Sequence, residues 1–544
     1  MANQSTHRAG AEVKESWVPM ITIALAQILM SFNVASLPVA LGGMVKSFNV
    51  PPTTIATAIV MYSLSVAGFV MLGAKLNQRF GPLVVFRSTV LLFGVAQVMM
   101  TFSPNVTVMI SAQALSGLAG AALVPALVAL IAENYRGTQQ ATALGALGSA
   151  RAGAGVAAFL IGGVLGTYIG WRPAFGILIV LSVIIFVLSF RLKSDQGRPE
   201  VGIDVFGVIL AASAIILLSF GFNNLNRWGF GLVRDGAPFD LLGFSPAPFM
   251  IVLGIVLGQA FVVWTRRRQE QGKTPLLALE VLSSPTEKAA VFAMFAVVAL
   301  EAMLNFSVPL YIQIVQGSTP MAIAMMPFNL SVFFSAMLIV RFYKKLTPRK
   351  IGRYGFITCT IALLWLAFVV RNNWSEFAVL FGLVVFGLAQ GALVTLLFNV
   401  LVSASPKELA GDVGSLRGTT NNLANAIGTA VAGALLVGLL SANAIRGVAE
   451  TPILTPEIQA QVNMDSINFV SNDRLQGVLA QTTATPEQVA EAVRVNEEAR
   501  LRSLKFGLLI MALLSLLAIF PAGRLPNYLP GELPADNLVK KTGK

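Results

Sequence analysis

Across 544 residues, 56% hydrophobic side chains against 12% charged ones, with a mean hydropathy of +0.75, exclude a soluble globular chain. The formal net charge of +13 gives no reason to invoke nucleic acid, because basic residues gathered beside anionic headgroups account for it. One cysteine, Cys359, and one histidine, His7, leave no material for a disulfide, a thiolate metal site, or histidine-based zinc or acid/base chemistry.

The sequence offers apolar runs of about 20 residues, each long enough to cross roughly 30 Å of hydrocarbon as a helix. Spans are expected near 17–43, 55–74, 83–102, 107–132, 141–168, 173–190, 205–225, 247–265, 289–315, 319–340, 352–370, 377–403, 416–445 and 503–523. The short alternating segments of a membrane barrel do not occur. Glu12, Lys14 and Glu15 stand ahead of a first apolar stretch too long for a cleavable leader, so residues 1–16 read as a tail and the first helix as its own insertion signal. Lys and Arg concentrate in alternate loops, including Arg266-Arg267-Arg268 and the run from Arg341 to Arg353, which predicts both termini in the cytoplasm.

In chain order, the first span carries Gln27 and Asn33, and a short basic turn, Gly73-Ala74-Lys75-Leu76-Asn77-Gln78-Arg79-Phe80-Gly81, follows the second. Gln113 lies in the fourth span. The fifth contains Gly145, Gly148, Gly153, Gly155, Gly162, Gly163 and Gly166, small-residue surfaces on which a neighbouring helix can approach and slide. Asn305 and Tyr311 belong to the ninth span, Asn329 to the tenth, Gln390 and Asn399 to the twelfth, and Asn421, Asn422 and Asn425 to the thirteenth. These neutral polar groups are candidates for lining a solute pathway. An outer segment, 447–501, is acidic on balance; Thr485-Pro486-Glu487-Gln488 starts a helix with a capping box, and Thr455-Pro456-Glu457 starts a shorter one.

Only one acid, Glu301, and one base, Arg151, fall deep inside the expected spans. Arg151 lies about ten residues, roughly 15 Å, from the inner end of its span, and Glu301 about thirteen residues, roughly 20 Å, into its own. A charge in hydrocarbon is costly unless it meets a partner or a wet cavity. Two readings stay open: a structural ion pair, or a functional couple in which Glu301 exchanges a proton and Arg151 holds a solute or gates Glu301.

The turn from Gly73 to Gly81, the stretch Gln113 to Pro125, the glycine pair ahead of Gly170-Trp171-Arg172-Pro173-Ala174-Phe175, the Tyr311–Pro327 stretch and Gly414 to Gly428 together resemble the fourteen-helix drug:proton antiporters of the major facilitator superfamily. Asn77 stands where that family has an aspartate, Gln113 where it has an arginine, Ala158-Phe159 where it has Gly-Pro, and Leu29-Met30-Ser31-Phe32 where an aspartate precedes the Asn-Val-Ala stretch. Glu301 is therefore the one intramembrane candidate for proton coupling. An aspartate restored at Asn77 is expected to strengthen the inner latch.

The resemblance implies an all-α membrane fold: a six-helix bundle over 17–200, two inserted helices with a cytoplasmic link over 201–288, a second six-helix bundle over 289–523, and a cytoplasmic tail over 524–544. It implies alternating access around a midplane site, no cofactor or metal, and a monomer in a bacterial inner membrane. The leading expectation is proton-linked export of amphipathic or lipophilic organic compounds. Its alternatives are an uptake or facilitated carrier of an anionic metabolite, and a non-transporting sensor or efflux-complex partner. No catalytic constellation favours an enzyme.

Overall fold

A computed structural model describes residues 16–50, 52–162, 169–193, 196–234, 236–282, 284–315, 318–342, 345–371, 376–404, 409–449, 472–479, 481 and 484–527. The long helices are α1 (Val18–Phe48), α2 (Pro52–Phe80), α3 (Pro82–Thr101), α4 (Val106–Asn134), α5 (Gly137–Ala157), α6 (Arg172–Leu188), α7 (Val205–Trp228), α8 (Pro246–Glu270), α9 (Pro285–Val315), α10 (Ser318–Phe342), α11 (Pro348–Val369), α12 (Phe377–Ala404), α13 (Ala410–Ala449) and α14 (Pro486–Leu517). Eight of them carry proline at one of their first two positions, where its missing N–H removes no helical hydrogen bond. Thirteen helices among the described residues are long and apolar enough to cross a membrane. The remaining long one, α13, has 40 residues. The tails, His7, Gly163, Gly166 and the Thr455-Pro456-Glu457 start lie largely or wholly outside the described residues.

Helices α1–α6 and α9–α14 form two bundles. In the first, α2 packs on α4, α1 on α5, and α3 on α4 and α6; in the second, α9 packs on α12 and α13, α10 on α12, and α11 on α12 and α14. With no water in hydrocarbon to drive association, such contacts depend on close van der Waals fit and small residues. The bundles meet along two seams, α5 with α10 and α12, and α2 and α4 with α13. Glycines set the separation: a Cβ on Gly145 would lie 2.8 Å from the Ala336 carbonyl, and one on Gly418 2.9 Å from Val70. These contacts fall in the half of the molecule where α1 begins, termed the near face.

The inserted pair α7–α8 stands outside both bundles, with α7 packed on α2 and α13. Its near end is fastened by Asp204. That carboxylate caps α7 by accepting from the Gly207 amide at 3.0 Å, accepts from Trp264 Nε1 at 3.0 Å, and pairs with Arg268 at 3.4 Å. On the far face, Trp171 Nε1 donates to Ser47 at 3.0 Å and Arg172 to the Ser103 carbonyl at 3.0 Å, so the Trp-Arg motif ties α6 to the ends of α1 and α3. A π-helical turn, Ala158–Gly162, follows α5 at the point where the sequence departs from the family's Gly-Pro.

The capping box of Thr485 and Gln488 opens α14, which runs unbroken from the outer segment through the last span. The expected division near 501 is therefore absent. Arg500, fully buried, bonds to Asn472 of the short helix Asn472–Leu479.

Asp204→Ala removes the α7 cap and both partners of that carboxylate. It is expected to cost at least about 1 kcal/mol, seen as a lower melting temperature in detergent and faster proteolysis of the 266–288 link. Unchanged melting and cleavage would show that the inserted pair is held without Asp204.

Candidate functional site

Between the bundles lies a cavity of about 430 Å³ whose walls come from α1, α2, α4 and α5 of the first and α9, α10, α12 and α13 of the second. Nine of the polar residues expected from the sequence line it: Gln27, Arg151, Glu301, Asn305, Asn329, Gln390, Asn421, Asn422 and Asn425. Met30, Val66, Phe328 and Val332 supply apolar wall between them. Four lining atoms, Gln390 Oε1, Thr395 Oγ1, Arg417 Nε and Asn421 Oδ1, are buried with no hydrogen-bond partner in the protein. Orphaned polar atoms are costly in a dry interior, so a wall that carries four suits water or a polar solute.

The two charges found by hydropathy come together in this cavity. Arg151 Nη2 of α5 lies 3.5 Å from Glu301 Oε1 of α9, and Gln390 Nε2 of α12 donates to Glu301 Oε2 at 3.0 Å and to the Val297 carbonyl at 3.1 Å. The carboxylate is thus held on both oxygens, by one donor from each bundle. Its side chain is 18% exposed and that of Arg151 41%, so the pair opens onto the cavity instead of being sealed.

Four other candidates sit elsewhere. Asn33 and Gln113 are fully buried and exchange two hydrogen bonds, 2.9 and 3.2 Å, that lock α1 to α4. Such a link is worth about 1 kcal/mol or less in a membrane. Tyr311 is buried on the far side within electrostatic reach of Arg500, and Asn399 accepts a long hydrogen bond from Ser403.

The basic turn forms the near-face closure. Lys75 is 2% exposed and pairs with Asp412 of α13 at 3.3 Å, while Gln78 donates to the same carboxylate at 2.8 Å and accepts from Lys75 at 2.9 Å. This joins α2 to the second bundle and holds Lys75 inside the protein. Arg79 reaches the Val201 carbonyl at 3.4 Å. Gly81 has φ of 89°, a left-handed turn residue, and a Cβ on Gly73 would fall 2.4 Å from the Ala121 carbonyl, so only glycine lets α2 cross α4 there. Asn77 donates to the Gly73 carbonyl at 2.7 Å and the Ala122 carbonyl at 3.0 Å, a use that the aspartate of the family pattern could not make.

Sequence reasoning missed Asp412 and Arg417. Both stand where the hydropathy window places the edge of the thirteenth span, yet α13 begins at Ala410 and carries them between the bundles. Arg417 is 7% exposed, lines the cavity, and rests its guanidinium 3.9 Å from the centre of the Phe398 ring.

A family model described as Major Facilitator Superfamily matches residues 23–429. The multidrug efflux pump LfrA of Mycolicibacterium smegmatis is 23% identical over 453 residues, covering 81% of this chain and 84% of that protein. The tetracenomycin C resistance and export protein of Streptomyces glaucescens is 26% identical over 384 residues, covering 69% and 67%. Among solved structures, the human organic anion transporter MFSD10 (TETRAN) has a TM-score of 0.57 at 12% identity over 93% of this chain and 98% of that one. The proton:xylose symporter XylE has a TM-score of 0.54 at 11% identity over 93% and 94%. These structures share the fold.

Lys75→Met alone leaves Asp412 buried without its cation and is expected to destabilise by about 3–5 kcal/mol, whereas Lys75→Met with Asp412→Leu recovers most of that loss. Melting of the two single variants and the double variant measures the coupling; additive losses would mean that the pair does not close the near face. Asn77→Asp replaces two donated hydrogen bonds by carboxylate–carbonyl repulsion, so a loss of about 1–3 kcal/mol is expected in place of a stronger latch. Equal or higher melting temperature would restore the original expectation.

Proposed function

Because the chain belongs to the major facilitator superfamily, we propose that it is a proton-linked exporter of amphipathic or lipophilic organic compounds that works by alternating access. It spans a bacterial inner membrane many times, with its near face and both termini in the cytoplasm. The names of the multidrug and tetracenomycin C relatives support export, and the basic runs at the near face support this orientation.

The observation that carries the reading is the Glu301 carboxylate held between Arg151 of one bundle and Gln390 of the other. While ionised, Glu301 links the bundles through the cavity. A proton taken on Glu301 Oε1 removes the charge that holds Arg151, and the link across the α5 seam is lost at the level of the bound solute. The Lys75–Asp412 pair closes the near face, so this conformation loads Glu301 and releases solute toward the far side. Rocking about the site then breaks that pair, opens the cavity to the near face, and lets Glu301 return its proton as solute enters.

In proteoliposomes with an imposed pH gradient, Glu301→Gln is expected to keep the fold and to remove the pH dependence of transport. Gln keeps a hydrogen-bonding end but cannot exchange a proton. Normal pH dependence in that variant would sink the proton role.

A further inference from the structure

We infer that the cavity recognises amphipathic organic anions, and that Arg417 is the group that binds their acid end. The inference deepens the reading of the cavity as a transport site by naming its substrate class. Among the described residues, the charged lining of the cavity is Arg151, Arg417 and Glu301, two guanidinium groups facing one carboxylate. Glu301 is turned to Arg151. Among the described residues Arg417 has no carboxylate within ion-pair distance, and its Nε is buried with no hydrogen-bond partner. It also lies within electrostatic reach of Arg151, a second positive charge.

A buried guanidinium without a counterion is costly, and arginine does not escape by losing its proton. Lys75, equally buried, shows the contrast: Asp412 neutralises it. The Phe398 ring beneath Arg417 compensates one face of the cation and fixes its plane, but it engages none of the N–H donors along the edge. A planar fork of donors held by a ring and left unpaired at a cavity wall matches a carboxylate, sulfonate or phosphate ester, which accept two parallel hydrogen bonds. Asn421, one turn further along the same helix, leaves its Oδ1 free to accept from a donor elsewhere on the solute. Met30, Val66, Phe328 and Val332 then meet the apolar body of the solute, and about 430 Å³ suits a drug-sized molecule.

The test uses purified full-length protein and three naphthalene probes of one shape, carrying a sulfonate, a neutral sulfonamide or a trimethylammonium group, in dilute Tris buffer with no other carboxylate or sulfonate present. The wild type is expected to bind the sulfonate most tightly. Arg417→Gln is expected to weaken the sulfonate by about ten- to a hundredfold and leave the sulfonamide within about twofold. Sulfonamide binding reports that the cavity is folded; if Arg417→Gln loses it, Arg417→Lys decides, with weaker sulfonate and unchanged sulfonamide binding expected. Tighter binding of the trimethylammonium probe by the wild type, or sulfonate binding by the deciding variant equal to the wild type, overturns the inference. Displacement of the sulfonate by chloride alone assigns the group to an inorganic ion and overturns it also. If sulfonate binding needs Arg417 but transport is indifferent to Glu301→Gln, the anion site stands and the proton-linked reading falls.

Discussion

Hydrocarbon cannot solvate an ion, and in this molecule that constraint decides where the two bundles touch. Lys75 and Asp412 neutralise each other across one seam, and Arg151 and Glu301 across the other. Each pair has one member in each bundle, so each is also a tie that any relative movement must break. The two ties differ in kind. Lys75 and Asp412 are sealed from solvent, where breaking a pair leaves an uncompensated charge. Arg151 and Glu301 open to a cavity, where water or a proton can take over from the partner. A rigid closure at one face and a chemically addressable link at the centre follow from burial alone.

Glycine makes these ties reachable. The side chains of Lys75 and Asp412 span the seam because α2, α4 and α13 approach closely at Gly73, Gly414 and Gly418. The same substitution of hydrogen for a side chain at Gly145 brings α5 against α10 and sets Arg151 opposite Glu301. Positions that lack a side chain thus fix the geometry of those that carry charge.

Much of the fold was legible because hydropathy and proline punctuation act locally: helices α3, α11 and α12 begin and end within a few residues of the apolar runs that announce them. Glu301 and Arg151 were legible as isolated charges. What a hydropathy window cannot see is a span whose cavity face is polar. The end of α13 that carries Asp412 and Arg417 faces the other bundle and the cavity instead of lipid, so its charges look like the border of a span when they are inside it. Nor could spacing separate Asn33 and Gln113, which satisfy each other, from Asn421 and Asn422, which face the cavity, since all are neutral polar residues on apolar helices. Tertiary pairing makes that distinction.

The inserted pair makes the two flanks of the molecule inequivalent. Helix α7 lies along α2 and α13 and covers the seam between them, with Ile216 seated against Gly68. Among the described residues the seam of α5 and α10 has no such helix from outside the bundles, only α12 of the second bundle packed on both. A molecule dissolved in the bilayer therefore meets a wall on one side and a bare junction on the other.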